Sequence, residues 1–268
     1  MNAIDATFEA LRKAGRKAFM PFVTAGDPDL EFTAEVLNKI ASCGADLVEV
    51  GFPFSDPIAD GPVIQASYTR ALDKGLKLES IFAMLKKVTS QPGWKTPLVG
   101  MVSYSLIHRR GAEKFIQQAL EAGLSGCVLP DLPGEEAEDF VNLARKRDFK
   151  TILLVTPTTP PERAEKILKL CSGFLYCVSI VGITGERERV PAALREQLDQ
   201  LRQQTKLPLC VGFGVSKPEH VRELKQYADG VIVGSALVRK LEQLPKESRE
   251  SVLESIGEVV SELSESLK

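Results

Sequence analysis

The sequence predicts an α/β fold: a (β/α)8 TIM barrel with an extra N-terminal helix, an extra helix after strand 2 and a C-terminal helix. Three observations predict it. Eight short apolar runs recur along the 268 residues. These runs are almost continuously apolar, as parallel strands covered on both faces are. Amphipathic stretches with apolar residues three and four positions apart lie between them.

Residues 4–11 read as an amphipathic helix ahead of the first strand. Strands follow at 18–23, 47–50, 98–102, 127–129, 151–155, 174–178, 209–211 and 231–233. Helical patterns lie at 30–40, 113–120, 137–143, 164–170, 194–201 and 221–224. The gap between the second and third strands is about twice the usual βα unit of ~30 residues, so two helices are expected there, at 63–73 and 78–88. Pro161 and Pro218 stand where the first turn of a helix tolerates proline. Residues 253–267 form a charged amphipathic helix at the C-terminus. No composition break divides the chain, so residues 1–268 read as one domain. The same local pattern also serves a doubly wound open sheet, the second reading of the fold.

Composition narrows the function classes. The chain is 44% hydrophobic and 26% charged, as ordinary globular proteins are. A net charge of −2 argues against nucleic acid or an anionic membrane as the main partner. Cys43, Cys127, Cys171, Cys177 and Cys210 are scattered beside apolar runs, which fits buried, reduced thiols in a cytoplasmic protein. The N-terminus lacks a signal-peptide core, and no apolar run approaches the ~18 residues that span a bilayer. His108 and His220 show no metal or triad spacing and read as surface residues.

Glu49 interrupts the apolar run at 47–50. A carboxylate there is expensive to bury unless it is paired or protonated. A loop rich in Pro and Gly follows, carrying Asp56 and Asp60. If the barrel is right, Glu49 and Asp60 face the same mouth, where such enzymes work. Two carboxyl groups in different environments can then take different roles. The competing reading of Glu49 is a structural acid paired at a strand end, and that of Asp60 and Asp56 is a turn residue.

Three glycine-rich segments follow the last three strands: Gly182 to Gly185, Gly212 to Gly214, and Gly234 with Ser235. Glycine lets backbone N–H groups approach an anion, and a helix starting at Ser235 would point its N–H groups the same way. Each segment alone is a turn. Together, at the strands where barrels hold phosphate, they favour a phosphorylated substrate. The absence of Gly-x-x-x-x-Gly-Lys argues against a nucleoside triphosphate.

The stretch from Leu47 to Gln65 resembles the signature of the tryptophan synthase alpha subunit family. The resemblance runs nearly end to end. It continues through Pro21 to Pro28, through Pro130-Asp131-Leu132-Pro133 with Glu135 and Glu136, and through the three glycine segments. It implies cleavage of indole-3-glycerol phosphate to indole and glyceraldehyde 3-phosphate in tryptophan biosynthesis. It implies a beta subunit partner in an αββα complex, with pyridoxal phosphate only in that partner and no cofactor in this chain. Glu49 matches the family's principal acid–base group and Asp60 its second carboxylate. Phe22, Val102, Val128, Tyr176, Phe213 and Ile232 would form the indole pocket, although plain barrel core also explains them. Gly182, Thr184, Gly185, Gly214, Gly234 and Ser235 would hold the phosphate. Pro53, Asp56 and Pro57 would lie in the loop that contacts the partner.

Two departures stand out. The family often has Tyr-Asn-Pro-Ile after the third strand, where this chain has Tyr104, Ser105, Leu106 and Ile107. The loop at 186–191 is charged and long enough for a lid, and reads equally as a solvated loop. A standalone lyase, a catalytically weak partner subunit and another phosphate-binding barrel are the competing functions. Intact Glu49 and Asp60 speak against the second, and the loop from Pro53 to Pro62 against the third.

Overall fold

A computed structural model describes residues 1–57, 60–179, 191–212, 214–215 and 217–268. Among them run the strands β1 (Ala18–Thr24), β2 (Val48–Gly51), β3 (Leu98–Met101), β4 (Leu124–Val128), β5 (Lys150–Ile152), β6 (Leu154–Val155), β7 (Leu175–Val178), β8 (Leu209–Gly212) and β9 (Gly230–Val233). All are paired in parallel, in the order β5-β4-β3-β2-β1-β9-β8-β7-β6. Only Leu153 separates β5 from β6 in the chain, so the order returns on itself and the sheet is a TIM barrel rather than a doubly wound sheet. The single strand expected at 151–155 is broken at this residue. The Leu153 N–H donates to Cys171 Sγ at 3.5 Å, while its carbonyl accepts from Tyr176 N–H at 3.1 Å. One side of the ladder is thus diverted to a side chain.

Around the strands lie α1 (Ala3–Lys13), α2 (Leu30–Ser42), α3 (Pro62–Leu72), α4 (Leu78–Thr89), α5 (Tyr104–Arg110), α6 (Ala112–Glu121), α7 (Glu138–Lys146), α8 (Pro161–Leu170), α9 (Ala192–Gln204), α10 (Pro218–Leu224), α11 (Ser235–Leu241) and α12 (Arg249–Glu265). Two helices follow β2, as the long gap predicts. Pro62, Pro161 and Pro218 each open a helix, where their missing N–H removes no helical hydrogen bond. The sequence reading does not include α5. Its seven residues carry only Ile107 as a fully buried side chain, too little for a periodic signal.

Alternation along the strands makes two cores. On β1, Ala18, Met20 and Phe22 pack inside the barrel, while Phe19 and Val23 pack outward against the helices. Helix α1 plugs the N-terminal end: Ile4, Phe8 and Leu11 join the interior, and the Phe8 and Phe174 rings lie 5.9 Å apart. Asn2 fixes that plug by accepting from Ile4 N–H at 2.9 Å and donating to Ser125 O at 2.9 Å and Asp148 O at 2.6 Å.

Helix α3 reaches over the opposite end, where Ile64 and Tyr68 join the interior. Burying side chains of that size stabilises by about 1.5–3 kcal/mol each. Thr24 Oγ1 and Ser67 Oγ, 2.6 Å apart, tie α3 to the end of β1. Arg70 grips Asp27 with two parallel bonds, of 3.0 and 2.7 Å.

Four cysteines are buried and Cys43 is half-buried. Among the described residues, no helix is long and apolar enough to cross a membrane.

Candidate active site

Glu49 sits in β2, in register with Phe22 of β1 and Val99 of β3. Phe22 and Val99 belong to the barrel interior. Glu49 is 0 % exposed, and neither of its carboxyl oxygens has a hydrogen-bond partner among the described residues. An ionised carboxylate in such a place would be heavily penalised, so the proton is retained. Burial first, and then the negative charge of Asp60, push the Glu49 carboxyl up to about 8.

Asp60 is half-buried just ahead of α3. Its N–H donates to Pro57 O at 3.0 Å, and Gln65 Nε2 donates to the carbonyl oxygens of Asp60 and Pro57 at 2.8 and 3.2 Å. One amide on α3 therefore pins both ends of this turn. Burial, and then the like charge of Asp131, push the Asp60 carboxyl up to about 7. Asp131 accepts from Ser103 Oγ at 2.6 Å and from Tyr104 N–H at 2.7 Å, and so helps to start α5. Asp60 and Asp131 line one cavity of about 30 Å³, together with Phe52, Tyr68, Val102 and Ser103.

Phe22, Val128, Tyr176 and Ile232 all pack in the barrel interior. Val102 belongs instead to the outer core and reaches the site only through the cavity beside Asp60. The Tyr176 hydroxyl lies where a Cβ on Gly212 would stand, so glycine is required there. The fields of Glu49 and Asp60 add to burial in raising the Tyr176 phenol, which stays a donor at every working pH.

Gly234 precedes α11, Ser235 is its first residue, and a Cβ on Gly234 would stand 3.4 Å from the Phe22 side chain. Gly214 is exposed, with φ +76°. Phe213, Gly182, Thr184 and Gly185, with the charged loop at 186–190, lie outside the described residues. Pro53 is buried, Pro57 half-buried and Asp56 exposed, where it accepts from Ser55 Oγ at 2.8 Å. Among the described residues, no three His, Cys, Asp or Glu side chains group to hold a metal ion. His108 is exposed, whereas His220, expected on the surface, is half-buried on α10 because only part of that short helix faces solvent.

The model of the family described as "Tryptophan synthase alpha chain" matches residues 8–268. The chain belongs to the tryptophan synthase alpha chain family. The alpha chain of Rhodopirellula baltica is 49% identical over 252 residues, covering 94% of this chain and 91% of the relative. That of Arabidopsis thaliana is 46% identical over 239 residues, covering 89% and 86%. The solved alpha subunit of Legionella pneumophila is 36% identical and superposes with a TM-score of 0.90, covering 100% of this chain and 98% of that one. A Pyrococcus furiosus structure, described as a tryptophan synthase α2β2 complex with mutual activation, is 40% identical with a TM-score of 0.85, covering 92% and 98%. As a member of the tryptophan synthase alpha chain family, the protein is a lyase that cleaves indole-3-glycerol phosphate in tryptophan biosynthesis.

Several residues at this site escaped the sequence reading. Ile64, Tyr68 and Gln65 stand on one helix after the Asp60 turn, and their spacing of three and four was the available signal. In the sequence Asp131 is marked only as part of Pro130-Asp131-Leu132-Pro133. Its closeness to Asp60 comes from the loops after β2 and β4, strands that flank β3 in the barrel, and carries no local mark.

Proposed function

We propose that Glu49 and Asp60 divide the proton work of the retro-aldol cleavage. Indole C3 must gain a proton as the ring loses aromaticity, and the substrate hydroxyl must lose one as the carbon–carbon bond breaks. The electrons of that bond return to the ring, and the hydroxyl carbon becomes the aldehyde. The observation that carries the assignment is Glu49: wholly buried, without a hydrogen-bond partner among the described residues, and pushed up to about 8. Such a group holds a proton at neutral pH and can still release it. Asp60 lies lower, at about 7, and in its ionised form accepts the indole N–H and offsets the positive charge that develops there.

The indole would lie against Phe22, Val102, Val128, Tyr176, Phe213 and Ile232. The phosphate would be held by Gly182, Thr184, Gly185, Gly214, Gly234 and Ser235. Glycine backbone N–H groups can hold it without a cation. The chain would act as a single cytoplasmic domain with no cofactor of its own. Pyridoxal phosphate would belong to a beta subunit joined in an αββα tetramer, as the Pyrococcus furiosus relative's complex suggests. Pro53, Asp56 and Pro57 would face that partner. Gln65 ties the main-chain carbonyls of Pro57 and Asp60 together, so movement of the loop would reach the backbone that carries the carboxylate.

The test is indole release from indole-3-glycerol phosphate, with and without a beta subunit. Release that rises on adding the partner supports the reading; no release in either case sinks it. Glu49→Gln is expected to lose at least ~10² in kcat, the low end for a general acid–base group. Near-normal turnover in that variant would remove Glu49 from the mechanism.

A further inference from the structure

Tyr68 is a buried phenol that the roles above leave unused. It is 3 % exposed, on the face of α3 that enters the barrel interior. A Cβ built on Gly51 would stand 2.7 Å from its Oη. Gly51 lies two residues beyond Glu49 on β2, so the phenol rests against the same strand, above the acid. Tyr68 also lines the cavity of about 30 Å³ that Asp60 lines. Its hydroxyl makes no hydrogen bond to a described residue. A phenol that rests on the strand of one carboxyl group and lines the same cavity as the other, with a donor to spare, is placed to serve one of them.

We propose that Tyr68 is a positioning residue for the cleavage reaction, supplying a hydrogen bond that keeps the Asp60 carboxylate ionised and aimed at the substrate nitrogen. The cavity exceeds the ~10–15 Å³ that one water needs, and Ser103 and Asp131 give that water further partners, so the bond can pass through a single bridging water. Burial, and then the charges of Asp60 and Glu49, raise the Tyr68 phenol, which therefore donates throughout the working range. The other titratable groups that bear on this pair are Asp131 from the loop after β4 and Tyr176 from β7. A hydrogen bond to the charged form favours that form, so it opposes the two effects that push Asp60 up.

The inference rests on the role given to Asp60, and two variants separate the two claims. In Tyr68→Phe, with thermal stability near that of the parent, the rising limb of kcat/KM against pH is expected to move up by about one unit. That is a loss of about tenfold on the acid side, recovered on the alkaline side of the limb. An unmoved limb, or an equal loss at every pH, would overturn the inference, because a packing role does not move a titration. Asp60→Asn reads the underlying assignment. If that variant keeps full activity, Asp60 itself has no role; if it is inactive while the Tyr68→Phe limb stays still, only the role of Tyr68 fails.

Discussion

Phe22 and Glu49 stand side by side in register on β1 and β2, an aromatic ring and an acid with no hydrogen-bond partner among the described residues. The ring belongs to the apolar interior, and that interior is what denies the acid both solvent and a counter-charge. Burial first, and then the charge of Asp60, thus leave Glu49 with a carboxyl pushed up to about 8.

This arrangement should be visible in stability. The folded Glu49 carboxyl lies at about 8, against an ordinary value of 4.5. Between those values the unfolded chain releases this proton and the folded chain keeps it, so stability falls as pH rises through that window and levels off above it. Glu49→Gln lacks the effect. Its advantage in urea denaturation should grow from pH 4.5 to pH 8 and reach the order of a few kcal/mol. A parallel pH dependence in the two proteins would contradict it.

The rate should follow a bell. Activity rises as Asp60 ionises, at or below about 7, and falls as Glu49 loses its proton near 8. Because the two acids feel each other, the limbs report the pair. A steady-state pH profile of kcat/KM checks this, and a profile flat from pH 6 to pH 9 would count against both assignments.

Asp131→Asn should move the rising limb down, opposite to Tyr68→Phe. Its like charge helps to raise Asp60, and removing a like charge favours ionisation. Asparagine keeps an oxygen to accept the Tyr104 N–H, so α5 should persist in circular dichroism.

Gly51→Ala should destabilise by about 1–3 kcal/mol in urea, the usual effect of overpacking. The new methyl would meet the Phe22 ring and the Tyr68 hydroxyl together. Indole release should fall as well, since both contacts belong to the site.

Arg70→Met should lose about 1–3 kcal/mol, because it leaves the Asp27 carboxylate, with only 2% of its side chain exposed, without its partner. Arg70→Lys should recover only part of that, since an ammonium cannot reproduce the two parallel bonds.

Much of this was legible in the linear chain. The apolar runs marked the strands because a strand buried on both faces has no polar side to show. Glu49 stood out because a charge within such a run demands an explanation, and Asp60 because it follows in a stiff Pro and Gly loop. Helix α5 was not legible: it is short, and Asp131, from a different βα unit, supplies two of the bonds that start it. Nor was the break at Leu153, where the backbone N–H turns to the Cys171 sulfur.

The sequence by itself determined the succession of strands and helices, the three added helices and the family, and it singled out the two carboxyl groups. Those rest on periodicity and on a contiguous motif, both carried along the chain. Only the tertiary structure decided how the acids differ. Their proton affinities depend on how deeply each is buried, on Asp60 standing near Glu49, and on Asp131 arriving beside Asp60. Each is a distance between segments brought together by closing the barrel, and electrostatic and desolvation energies depend on such distances rather than on order in the chain.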